Sequence, residues 1–104
     1  MVTYSIEISE PAENDLRDMI LYISSHLSSP MTAMNMMDTI EEGLLGLADL
    51  PQKCPAVRDD RLAAMGYRKL LIKNDVAFFT IDEHSKVVNV ERSLYARRDW
   101  LRIL

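Results

Sequence analysis

Cysteine is all but missing from this chain, with Cys54 the single one among 104 residues. An internal disulfide is therefore excluded, and no zinc-type neighbours surround that thiol. A reducing, cytoplasmic setting is the expectation. Long apolar runs are lacking too. None reaches the roughly 18 residues of a membrane-spanning helix. The opening MVTYSIEISE has no basic stretch leading into an apolar core, so it does not read as a signal peptide. Histidine is limited to His26, at the end of a helical run, and His84, in a turn, so neither is a companion for Cys54 in a nucleophilic pair. No cofactor and no metal are expected. Glycine and proline are few, while 48% of residues are hydrophobic and 27% charged, a globular composition that fits one domain over residues 1–104.

Positive charge is scarce in the first half. Residues 1–51 carry one basic side chain, Arg17, against nine acidic ones. Residues 52–104 carry eleven Lys and Arg against seven Asp and Glu, so the halves stand at −8 and +4 within a net charge of −4. The split describes a polar molecule with a basic working side. It falls short of a typical nucleic-acid binder, whose domain pI lies above about 9, because here the pI is about 5.1.

What is present is patterned. Val2 to Ser9 alternates, with Val2, Tyr4, Ile6 and Ile8 on one face, as in a strand with one covered side. Pro11 suits a first helical turn capped by Ser9 or Glu10, and Ala12, Leu16, Met19, Ile20, Ile23 and Leu27 recur at helical spacing. Ser29-Pro30 starts a second helix with the stripe Ala33, Met36, Met37, Ile40, Leu44 and Leu47, expected to stop near Leu50. Gly43 and Gly46 weaken it by about 1 kcal/mol each relative to alanine, but permit a close backbone approach. The short joint between the helices predicts an antiparallel helical hairpin. Pro51 to Met65 shows no period and reads as a long connection. Tyr67–Lys73, Val76–Ile81 and Val87–Leu94 then read as three strands of an antiparallel meander, with turns at Asn74-Asp75 and Asp82–Lys86.

Candidate site residues gather around the meander. Lys69 and Lys73 are either solvent-facing strand residues or contacts to an acidic target. Arg92 follows Val88 and Val90 on the packed face, and reads as a structural arginine paired with an acid on another strand or as a target contact. Tyr95 is a packing residue or a proton donor; its ordinary pKa near 10 makes it a poor base. Arg97 and Arg98 either cap the last strand or face a target. Met34 lies off the main stripe of its helix and is exposed for a partner. Trp100 and Leu101 sit on a terminal segment too small to fold alone, which must dock on something.

The order strand, helix, helix, long connection, three-stranded meander and short terminal helix, together with PAENDLRDMILYI, GYRKLLIKNDVAFFTIDE and RSLYARRDWLRIL, resembles the RelE/ParE superfamily of bacterial toxins over nearly the whole chain. The resemblance implies an α+β fold, in which an N-terminal strand and α-helical hairpin pack on an antiparallel sheet with a C-terminal meander and short terminal helix. It implies the toxin of a type II toxin–antitoxin module, acting in growth arrest or plasmid stabilisation and neutralised by a cognate antitoxin, here expected at Met34, Trp100 and Leu101. No membrane partner is implied. The superfamily divides into ParE-like binders of DNA gyrase and RelE-like endoribonucleases that cleave mRNA on the ribosome. Under the RelE-like alternative, Arg68 and Arg97 are the catalytic cations, with Lys69, Lys73, Arg92, Tyr95 and Arg98 contacting RNA. The phosphate-gripping arginine of such enzymes falls on Val76 or Ala77, which favours the ParE-like reading. A toxin fold that retains only antitoxin binding is the third reading.

Overall fold

The computed structural model of the protein describes residues 3–26 and 29–95. Strand β1, Ser5–Ile8, leads into helix α1, Glu10–His26, and helix α2, Pro30–Leu45. Two 3-10 turns, Gly46–Ala48 and Pro51–Lys53, and a short helix α3, Asp60–Ala64, precede β2, Arg68–Ile72, β3, Asp75–Asp82, and β4, Val87–Tyr95. The terminal segment with its expected short helix, and with it Arg97, Arg98, Trp100 and Leu101, lies outside the described residues.

The helix starts follow from capping chemistry. Ser9 Oγ accepts the Ala12 N–H and donates to the Glu91 carbonyl, so one side chain caps α1 and ties it to β4. Ser29 accepts the Thr32 N–H at the head of α2, with Pro30 in the first turn. The predicted stripes are the buried ones: Ala12, Leu16, Met19 and Ile23 on α1, and Ala33, Ile40 and Leu44 on α2. The second helix ends at Leu45 rather than near Leu50, because the chain tightens into a 3-10 turn at Gly46.

The sheet order is β1-β4-β3-β2. β2, β3 and β4 form the expected antiparallel meander, but β1 runs parallel to β4, so the sheet is mixed. β1 and β4 are joined by a long crossover rather than a hairpin, which allows that direction. The helical hairpin covers one face, over Ala77, Phe79, Val88 and Val90. The stretch read as a formless connection instead covers the other face: Val57, in the loop before α3, and Leu62, in α3, pack on Phe78 and Leu94. A bulge makes this two-sided core possible. Phe78 pairs with Arg92 and Phe79 with Val90, leaving Glu91 as an extra residue on β4. The bulge reverses the strand's phase, so that Val90 and Leu94, four residues apart, belong to opposite cores.

On β1, Tyr4 just before it is buried and Ile6 half-buried, whereas Ile8 is 36% exposed, so the covered face fades along the strand. The β2–β3 turn is Lys73-Asn74, with Lys73 at φ 57°; Asp75, read as a turn residue, opens β3 and is fully buried. The β3–β4 turn needs no glycine because the Asp82 carboxylate accepts the His84 and Ser85 N–H groups.

Candidate functional site

The two arginines picked out on the described part of the meander are each held by separate internal partners. Arg68 opens β2, and its Nη1 donates to the carbonyls of Gln52, at 3.1 Å, and Cys54, at 2.5 Å. Two carbonyls from one loop thus take one arm of the guanidinium, and the loop is further stitched to the start of β2 by the Lys69 N–H to Pro55 and the Val57 N–H to Tyr67. Arg68 works here as the staple that holds residues 51–57 against the sheet edge.

Arg92 leaves β4 beside the bulge and makes a two-pronged ion pair with Asp15 of α1, Nε to Oδ2 and Nη2 to Oδ1, both at 2.7 Å. Asp15 Oδ2 also accepts the Ser93 N–H. The hydrogen bonds to Asp15 push the Arg92 guanidinium up from its ordinary value, so the guanidinium stays charged. Ser93 Oγ in turn donates to Asp75 Oδ2, and Asp75 Oδ1 has no partner among the described residues. Helix α1, strand β4 and the start of β3 are thereby joined by one polar thread.

Beside this thread lies a cavity of about 220 Å³, lined by Asp15, Asp18, Met19, Tyr22, Ser93, Leu94 and Tyr95. Tyr95 is half-buried, with its ring centroid 6.1 Å from that of Tyr22. Lys69 is half-buried on β2 and Lys73 exposed in the turn. Met34 is 66% exposed on α2.

Cys54 is a poor nucleophile in this setting. It is buried, and burial pushes its thiol up from the ordinary value against the opposing pull of Lys53 and Arg68. His26 stacks on Tyr22, 4.3 Å between centroids, at the end of α1, far along the chain from His84 in the β3–β4 turn. Among the described residues no group of histidines, cysteines and carboxylates could hold a metal ion, and no helix is long and apolar enough to cross a membrane. Val76 is half-buried against the α3-side cluster and Ala77 is fully buried in the main core, and neither residue supplies a cation.

The sequence reading missed Asp15 and Asp75. Asp15 carried a signal, since it sits three residues after Ala12 and four before Met19, in phase with the buried stripe of α1. Asp75 was masked by its place beside Asn74 in what reads as a turn. A third cluster, Tyr4–Gln52–Glu83, draws on residues far apart in the chain and had no local signature. Tyr4 OH donates to Glu83, and Gln52 Nε2 donates to both, which holds the Glu83 carboxyl below its usual range.

Comparison with known proteins adds the family. The model for the ParE toxin of the type II toxin–antitoxin system parDE matches residues 6–100. No curated protein matches the chain significantly. Among solved structures, a chain of the chromosomal ParDE toxin–antitoxin system of P. aeruginosa superposes with a TM-score of 0.74 at 18% identity, covering 91% of this chain and 98% of that one. A chain of the toxin–antitoxin complex RelBE2 of Mycobacterium tuberculosis superposes with a TM-score of 0.68 at 16% identity, covering 90% and 99%.

Proposed function

The chain belongs to the ParE toxin family of type II toxin–antitoxin systems, and from that premise we propose that it arrests growth by binding DNA gyrase in the cytoplasm as a single domain, without cutting RNA. The observation that carries this reading is the engagement of Arg68. A ribonuclease acting by 2′-hydroxyl attack needs cations free to meet the scissile phosphate. Arg68 instead has its Nη1 tied to the Gln52 and Cys54 carbonyls, and the position of the second expected cation is taken by the apolar Val76 or Ala77. Loss of one charge-stabilising donor typically costs about 10²–10³ in rate. A binding toxin needs only a surface, and Lys69, Lys73, Tyr95, Arg97 and Arg98 are the residues assigned to it. Arg92 is reassigned from target contact to the internal tie with Asp15. The partner that silences the toxin is its cognate antitoxin, with Met34, Trp100 and Leu101 among the contacts.

Expression without antitoxin tests this in cells. The expected outcome is growth arrest with induction of the DNA-damage response and intact mRNA. Arg97→Ala is expected to weaken the arrest through lost target binding. Codon-specific cleavage of mRNA on the ribosome by the wild type, lost in Arg68→Ala or Arg97→Ala, would instead identify a RelE-like endoribonuclease.

A further inference from the structure

Asp15, Asp18, Met19 and Tyr22 recur at the spacing of one helix face, and α1 turns that face toward the end of β4. Between the two elements lies the cavity of about 220 Å³, with Ser93, Leu94 and Tyr95 as its other wall. Its size restricts the occupant. Pockets for drug-sized ligands run to ~300–1,000 Å³, so this one suits a single side chain or a small organic molecule and is too small for a nucleotide. Its lining is mixed, with carboxylates and tyrosine rings beside the apolar Met19 and Leu94.

Charge and ring geometry select the occupant further. Asp15 is satisfied internally, since its oxygens take Arg92 and the Ser93 N–H, and that ion pair is neutral as a whole. Asp18 is exposed and has no hydrogen-bond or ion-pair partner among the described residues, so one negative charge at the cavity mouth is uncompensated there. Arg17 beside it donates to Asn14 instead. The rings of Tyr22 and Tyr95 stand 6.1 Å apart between centroids with their planes at 57°, two walls of a V. His26, stacked on Tyr22 at 4.3 Å and 22°, steadies one of those walls. The negative faces of aromatic rings attract a cation within about 6 Å. A tilted pair wraps a rounded ammonium, whereas a flat guanidinium stacks best on a ring parallel to it. Met19 and Leu94 offer apolar surface to a methylene stem behind the charge.

We propose that this cavity binds a primary alkylammonium group, its charge held by Asp18 and the Tyr22 and Tyr95 rings and its stem laid on Met19 and Leu94. Such a group is carried by a lysine side chain of a partner protein or by a free linear polyamine. The site stands whether or not the chain poisons gyrase.

The test titrates Nα-acetyl-lysine methylamide and, separately, spermidine into the isotope-labelled whole chain and follows backbone amide shifts by NMR. Salt at about 0.15 M screens loose attraction to the acidic surface. Saturable shifts at Asp18, Tyr22, Ser93 and Tyr95, with a Kd of about 1 mM, are expected. Tighter binding of the lysine amide assigns the site to a partner's side chain, and tighter binding of spermidine to a free polyamine. Nα-acetyl-arginine methylamide is expected to bind about threefold more weakly than the lysine amide, and the uncharged norleucine analogue not measurably. Asp18→Asn, at an exposed position without a described partner, is expected to weaken binding about tenfold. Tyr22→Leu is expected to weaken it about threefold, while Tyr22→Phe, which keeps the ring, stays within about twofold of wild type. If Tyr22→Leu fails to fold by circular dichroism, Asp18→Asn and Tyr22→Phe decide. No saturable shift with either amine, equal binding of the norleucine analogue, or unchanged affinity in Asp18→Asn would overturn the proposal. So would shifts spread over the acids of α2 and reproduced by magnesium ion alone.

Discussion

Asp15 and Arg92 carry more of the fold than their polarity suggests. The side chains are only 5% and 23% exposed, and the pair joins α1 to the bulged part of β4. Removing one partner strands the other charge, at a cost of about 3–5 kcal/mol, whereas replacing both with apolar residues of similar size is often neutral. Arg92→Ala is therefore expected to lose about that much stability in urea unfolding, and Asp15→Leu with Arg92→Met to recover only part of it, because the buried Ser93 N–H then lacks its acceptor. Asp75 behaves in the opposite sense. Burial pushes its carboxyl up, the Ser93 hydroxyl opposes that, and Asp15 adds to it. The folded chain thus holds the Asp75 proton more tightly than the unfolded chain, so this residue's contribution to stability falls as pH rises above the ordinary carboxylate value. Asp75→Asn is expected to be more stable than wild type at pH 7, because it removes the buried charge while its amide oxygen still accepts the Ser93 hydroxyl. The difference should vanish toward pH 4, and stability curves measured across that range check it. At this scale the sequence was only partly legible. The structural role weighed for Arg92 was readable from its neighbours Val88 and Val90, but its acid came from a helix 77 residues away.

Among the secondary-structure elements, α2 shows how two glycines with the same sequence reading diverge. A Cβ at Gly43 would lie 2.7 Å from Ile72 Cδ1, so α2 meets β2 there, while a Cβ at Gly46 would meet nothing within 4 Å. Gly46 also holds ordinary helical angles, φ −61° and ψ −20°. Gly46→Ala is expected to stabilise the protein by about 0.4–1 kcal/mol. Gly43→Ala is expected to destabilise it by about 1 kcal/mol, as overpacking outweighs helix propensity, and Ile72→Val should relieve the loss. Thermal unfolding of the wild type and these three variants measures both signs. The helices and the meander were legible because period and caps are local: Ser9, Ser29 and the stripes required no tertiary knowledge. The direction of β1, the bulge at Glu91 and the second core under α3 were not, because each depends on how distant segments meet.

For the molecule as a whole, the charge split maps onto architecture. The acidic half forms β1 and the helical hairpin, and the basic half forms the meander. Within the described part of that basic half, Arg68 and Arg92 stabilise the sheet, and Lys69 and Lys73 are the cations assigned to the outward surface. The family was legible through the order of elements and the Tyr-Arg-Lys strand; the target was not, since a toxin that grips a protein and one that grips RNA draw on the same sheet. The central claim is therefore one of mechanism, and gyrase itself tests it most directly. Purified protein is added to gyrase, ATP and supercoiled DNA, and gyrase-linked cleaved DNA is quantified after denaturant and protease. The account predicts accumulation of cleaved DNA that grows with toxin concentration. An unchanged level of cleaved DNA, at concentrations where the same preparation cuts mRNA on programmed ribosomes, would contradict it.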